Sequence, residues 1–196
     1  MKKPPTSIIV QAVAIPSIIA GVVVALLTMG SQPESAQYGV VMPLAYLIGS
    51  ISWGYMLLQW KMGVDVREYG SGRTGMSNVL RTGGAKSAAV VLTLDIAKGV
   101  IAVVIAKEVI GTHSAEVSAG LIVLAGHNWP VFLGFRGGRG IATGAGALTM
   151  LAPISAGIGM IGFISATSTS RYVSLGSITG VIAATLALLT LDILDY

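Results

Sequence analysis

The chain has 196 residues, of which 54% are hydrophobic and only 10% charged, with a formal net charge of +4 and a mean hydropathy of +0.82. A soluble domain carries about a quarter charged residues, so this composition excludes a globular surface that faces water. The absence of Cys excludes disulfides, thiolate catalysis and Cys-based metal sites, and the two histidines, His113 and His127, lack any familiar zinc spacing.

Apolar runs near residues 8–30, 38–60, 87–110, 115–135, 141–152, 154–170 and 174–194 predict an all-α, polytopic transmembrane helix bundle of about seven spans. It is expected to form one membrane domain over 1–196, with no soluble domain and no cofactor. The first run follows Lys2 and Lys3 as a signal peptide would, but it is long for one and lacks a good cleavage site, so it reads as a retained helix. The fifth and sixth runs are short and meet at Pro153, as two spans or as a re-entrant pair.

Positive charge sets the orientation. Lys2, Lys3, Lys61, Arg67, Arg73, Arg81, Lys86, Arg136, Arg139 and Arg171 fall on one side, Lys107 alone on the other, and Lys98 within a span. The loops 61–86 and 136–140 are therefore expected in the cytoplasm, with the protein in the plasma or inner membrane. No basic patch is interleaved with aromatics, which excludes nucleic acid as a partner.

Two loops concentrate the residues capable of chemistry. The first runs from Asp65 through Arg67, Gly70, Ser71, Gly72, Arg73, Gly75 and Asn78 to Arg81. Gly70, Gly72 and Gly75 match G-x-G-x-x-G, but no strand precedes them. The same stretch misses the Walker A lysine, since Met76 stands there. What remains is the physics shared by both motifs: glycines admit backbone N–H groups close to an anion, and a helix start adds a positive dipole end. Arg67, Arg73 and Arg81 add bidentate donors. Anion binding is the favoured reading, and a basic turn that anchors anionic lipid is the alternative.

The second loop runs from Gly126, His127 and Asn128 past Pro130 to Arg136, Gly137, Gly138, Arg139 and Gly140, with Thr143 adding a hydroxyl. Two such loops on one membrane face suggest two phosphates, or one phosphate gripped twice. His127 reads equally as a helix-end cap or as a functional group. Asp95 and Lys98, three residues apart in mid-span, share a helix face and can pair, either as a lock or near a site. Ser50, Ser52, Ser174 and Ser177 lie in spans, where hydroxyls usually bond their own helix carbonyls. There is no G-x-S-x-G elbow, and neither histidine has an aspartate five residues on.

Taken in order, these motifs resemble those of the membrane-integral bacterial acyl-phosphate:glycerol-3-phosphate acyltransferases. They are Ser50…Gly54-Tyr55, then Gly63-x-Asp65-x-Arg67-x-x-Gly70-Ser71-Gly72…Gly75-x-x-Asn78-x-x-Arg81, then Leu94-Asp95-x-x-Lys98-Gly99. They continue with Gly126-His127-Asn128-x-Pro130-Val131-Phe132…Gly137-Gly138-x-Gly140-x-Ala142-Thr143 and end with Ser174-Leu175-x-Ser177-Ile178. The resemblance spans residues 44–185. It implies transfer of a fatty acyl chain from acyl phosphate to the 1-hydroxyl of glycerol 3-phosphate, giving lysophosphatidic acid and phosphate in phospholipid synthesis.

The same resemblance implies roles for particular residues. Ser71, Arg81, Arg139 and His127 would be catalytic. Arg67, Gly70, Gly72, Arg73, Asn78, Lys98, Asn128, Arg136, Gly137, Gly138, Gly140, Thr143, Ser174 and Ser177 would bind substrate. The general base is left between His127 and Asp95. No metal is expected, and the partners would be the two substrates and membrane lipid, with the chain a monomer.

Against the resembled pattern, Arg73 replaces Asn, Arg136 and Arg139 replace Lys, and Ser77 replaces Thr. Residues 1–37 are extra, and the closing helix with its basic tail has no counterpart, so a weakened catalyst is expected. A non-catalytic binder of anionic lipid or phosphate and a small transporter are the alternatives, the latter without an inverted repeat to support it.

Overall fold

A computed structural model describes residues 6–193, and among the described residues every regular element is helical. The α-helices are α1 (Thr6–Thr28), α2 (Glu34–Ser50), α3 (Trp53–Met62), α4 (Met76–Val109), α5 (His113–Asn128), α6 (Ile141–Leu151), α7 (Pro153–Ser170) and α8 (Val173–Ile193). Each of the seven apolar runs coincides with a helical segment. Lys2 and Lys3 at one end, and Leu194, Asp195 and Tyr196 at the other, lie outside the described residues.

Among the described residues, four segments are long and apolar enough to cross a membrane by length and composition: Ile8–Ser31, Glu34–Met62, Met76–Val109 and Val173–Leu191. Large apolar side chains such as Leu27, Leu121 and Ile161 are exposed on the helices. Such a surface suits hydrocarbon as solvent and would be unstable in water.

One of the expected spans is broken. The run over 38–60 divides into α2 and α3 because Ile51 and Ser52 leave helical geometry, with ψ of 111° and 82°. The carbonyls freed there are held by Lys98, as described below. α4 has an additional leading segment from Met76, and Gly84, with φ 78° and ψ 175°, divides it from the long segment that carries the expected third span. Arg81 thus stands on a short leading segment, and Asp95 and Lys98 on the long one. In the fourth expected span, α5 ends at Asn128, before Pro130, whose missing N–H and fixed φ cannot continue it.

The described chain divides into two compact units after Gly146. In the first, α2 and α5 cross backbone to backbone: a Cβ at Gly49 would overlap Val123 O, and one at Gly126 would overlap Tyr46 O. Without a hydrophobic force between helices in lipid, close approach of this kind is what holds a bundle together. Val41, Ile48, Ala102, Ala106, Ala119 and Val123 complete the core around the crossing. In the second unit α7 and α8 pack along Gly159, Gly162, Gly176 and Gly180, where added Cβ atoms would meet the facing helix.

Candidate active site

The first loop is organised by one buried side chain. Asn78, 1% exposed, accepts from Ser71 N at 3.0 Å through Oδ1. Its Nδ2 faces the carbonyls of Val66, Tyr69 and Arg73 at 2.8, 2.9 and 2.8 Å. Three carbonyls on one atom and an N–H on the other fix the amide's orientation. Gly70 and Gly72 take left-handed backbone, with φ of 55° and 68°, and a Cβ on Gly70 would overlap Asn78 Oδ1. The glycines therefore let the loop wrap around Asn78.

Arg67 fastens this loop to the second one. Its guanidinium grips Asp65 with Nη2–Oδ2 at 2.7 Å and Nε–Oδ1 at 3.0 Å. Its Nη1 donates to Leu133 O at 3.0 Å, and the group lies over the Tyr55 ring, 5.1 Å from its centroid. Burial pushes the Asp65 carboxyl up, but hydrogen bonds from the Arg67 side chain and backbone outweigh it and hold the carboxyl below its ordinary value. The bond to Asp65 raises the Arg67 guanidinium in turn.

The second loop folds back onto the end of α5. Gly137 N donates to Asn128 O at 3.2 Å and Gly138 N to His127 O at 3.1 Å. A Cβ at Gly137 would overlap His127 O, and one at Gly138 would overlap the ring Nε2 of His127. These two amides, expected to cradle phosphate, are thus engaged by the protein itself. The glycines serve close packing against His127 and Asn128. Gly140 sits against Asn128 Oδ1 and Leu124, and Thr143, fully buried, meets His127 Nδ1 at 3.2 Å through its hydroxyl.

Behind this loop lies a buried polar cluster. Lys98 Nζ pairs with Asp95 Oδ1 at 3.0 Å and donates to Gly49 O and Ile51 O at 3.0 and 2.9 Å. Its three N–H directions thus all meet protein oxygens, two of them at the break between α2 and α3. The same Asp95 oxygen stands 3.6 Å from His127 Nδ1. Ser50 Oγ bonds Tyr46 O at 2.9 Å, the hydroxyl-to-own-helix pattern.

The remaining cations sort differently. The guanidiniums of Arg73, Arg81, Arg136 and Arg139 belong to exposed residues and have no hydrogen-bond or ion-pair partner among the described residues. Two hollows open beside Arg73, Arg81 and Arg136. One, of about 350 Å³, is lined by Met62, Val64, Tyr69, Gly70, Arg81 and Thr82. The other, of about 330 Å³, is lined by Ser71, Gly72, Arg73, Phe135 and Arg136, and so joins the two loops. Phe135 was not legible as a site residue. It holds left-handed backbone at φ 63°, rare for an aromatic residue, with its ring exposed. Ser174 and Ser177 lie on α8 in the second unit, where Ser177 Oγ bonds Val173 O at 2.9 Å. No group of three metal-ligating side chains occurs among the described residues.

The glycerol-3-phosphate acyltransferase family matches residues 39–195. Glycerol-3-phosphate acyltransferase 3 of Dehalococcoides mccartyi is 46% identical over 168 residues, 80% of this chain and 78% of the relative. The glycerol-3-phosphate acyltransferase of Thermoanaerobacter pseudethanolicus is 49% identical over 137 residues, 70% and 69% of the two chains. Among solved structures, PlsY (YgiH), an integral membrane glycerol 3-phosphate acyltransferase, matches in its glycerol 3-phosphate form with a TM-score of 0.72 and 39% identity, covering 76% of this chain and 75% of that one. Its lysophosphatidic acid form matches with a TM-score of 0.68 and 36% identity, covering 76% and 74%. With most of its length matched at this identity, and with an all-helical bundle to carry it, the chain belongs to the glycerol-3-phosphate acyltransferase family of integral membrane proteins.

Proposed function

We propose that the protein transfers a fatty acyl chain from acyl phosphate to the 1-hydroxyl of glycerol 3-phosphate. The hydroxyl oxygen bonds to the acyl carbon, the bond from that carbon to the phosphate oxygen breaks, and the hydroxyl proton ends on the released phosphate. The observation that carries this reading is the set of four unpartnered guanidiniums, Arg73, Arg81, Arg136 and Arg139, on the two loops that border the hollows. Both substrates bring phosphate, and guanidinium is the side chain best shaped to hold it.

Acyl phosphate is already activated, so positioning and charge neutralisation supply most of the catalysis. Ser71, Arg81 and Arg139 are assigned to the reaction centre, and Arg73 and Arg136 to phosphate. Gly70 and Gly72 shape the loop that presents Ser71. Asn78, Arg67, Lys98 and the pair Gly137–Gly138 are assigned to holding the loops in place. His127 backs the second loop with Asn128, Gly140 and Thr143. Ser174 and Ser177 are assigned to substrate by their motif alone, and the chain to a monomer.

The ten-to-one asymmetry of loop cations supports a plasma-membrane or inner-membrane protein with this site in the cytoplasm. The test is purified protein in lipid, supplied with glycerol 3-phosphate and either acyl phosphate or acyl-CoA. Lysophosphatidic acid should form faster from acyl phosphate. Equal or better use of acyl-CoA would remove the donor assignment, and phosphate binding without turnover would favour a non-catalytic binder.

A further inference from the structure

α1 lies outside the residues that match the family, which begin at 39. It is apolar apart from a few small hydroxyls and Gln11. Ile18 and Ala25 enter the core, while Ile9, Val10 and Val13 are exposed. Gln11 is fully buried, which is costly for an amide in hydrocarbon unless it is bonded. Its Oε1 accepts from Ser52 N at 3.3 Å, and its Nε2 has no acceptor among the described residues.

Ser52 is the residue at which α2 and α3 part. A break inside a membrane leaves backbone groups unsatisfied, and neighbouring helices must satisfy them. Here two helices share the task. Lys98 of α4 takes the carbonyls of Gly49 and Ile51, and Gln11 of α1 takes the N–H of Ser52. From Lys98 the contacts continue to Asp95, His127 and Gly138, within the arginine loop.

We propose that Gln11 is a positioning residue of the enzyme. Through its carbonyl oxygen it fixes the break between α2 and α3, and so the carbonyls that seat Lys98 and the cluster behind the Arg136–Arg139 loop. α1 is then part of the catalytic bundle. The activity arm of this inference rests on the acyltransferase reading above.

The test compares Gln11→Met, which keeps length but removes the acceptor, with Gln11→Glu, which keeps an acceptor oxygen. Both are measured for acyl transfer, thermal midpoint and hydrogen exchange over residues 49–53. Gln11→Met should exchange faster there and lose at least about fivefold in turnover, the loss of roughly one hydrogen bond, with its thermal midpoint near wild type. Gln11→Glu should restore both exchange and turnover. The proposal is overturned if Gln11→Met keeps activity within about twofold, if exchange over 49–53 is unchanged, or if Glu is no better than Met. It is overturned too if the Met variant loses its midpoint along with its activity, which marks a mere anchor. Should the wild type itself show no acyl transfer, the acyltransferase reading fails, and the exchange data still decide whether Gln11 holds the break.

Discussion

Gly138 lies directly against the imidazole of His127, so close that a single Cβ at residue 138 would overlap ring Nε2. The ring cannot retreat freely, because its Nδ1 meets the Thr143 hydroxyl at 3.2 Å on the other side. Gly138→Ala should therefore displace the arginine loop and lower turnover at least about tenfold, overpacking of this kind costing roughly 1–3 kcal/mol. Gly75→Ala is the matched control. Gly75 has ordinary φ of −79° and nothing within 4 Å of an added Cβ, so its alanine variant should keep near-normal turnover in the same assay.

The arginines should separate into two classes. Arg81→Ala and Arg139→Ala each remove an unpartnered guanidinium, and loss of a charge-assisted bond to phosphate costs about 1.5–3 kcal/mol, roughly tenfold or more in kcat/KM. Thermal midpoints should stay put. Arg139→Lys should be milder, since charge survives while the bidentate fork is lost. Full activity in both alanine variants would remove the phosphate assignment.

Arg67 and Asp65 should behave in the opposite way, failing in stability first. The Asp65 carboxyl is held below its ordinary value of 3.8 in the folded protein. The clamp therefore contributes fully above 3.8 and is lost as pH falls through the lower folded value. Asp65→Asn should lower the thermal midpoint at pH 7, and its gap from wild type should close as the pH is taken below 3.8. A gap that is constant across that range would show that the carboxylate's charge plays no part.

Asn78 distinguishes a loop organiser from a ligand. Asn78→Ala removes a side-chain partner from the buried carbonyl of Val66 and from the part-buried Tyr69 and Arg73 carbonyls and Ser71 N–H. An unsatisfied buried group costs about 1–3 kcal/mol, so both stability and activity should fall. Asn78→Asp keeps the acceptor for Ser71 N but turns an oxygen toward three carbonyls, and should be no better than alanine. A variant with unaltered midpoint and a raised KM for glycerol 3-phosphate would instead make Asn78 a direct ligand.

Composition and order of residues by themselves determined the class of solvent and the class of fold. So little charge over so many apolar runs admits only helices in lipid, and each run fell on helix because hydropathy is a local property, while the short polar segment from Met76 to Gly84 was not marked. The pairing of Asp95 with Lys98 was legible for the same reason, being set by helical spacing alone. The long gapped motifs also pointed to the family that the comparisons then supplied.

Tertiary structure decided which residues within those motifs are free to act. A list of glycines and arginines does not say that Gly137 and Gly138 donate back to Asn128 and His127, or that Arg67 is taken up by Asp65 and Leu133 while Arg73, Arg81, Arg136 and Arg139 are not. Each of these depends on a partner distant in sequence or on a turn whose direction the sequence leaves open. The same holds for the break at Ile51–Ser52. It is sustained by Lys98 and Gln11, 47 and 41 residues away, because a backbone group without water must find its partner wherever the fold brings one.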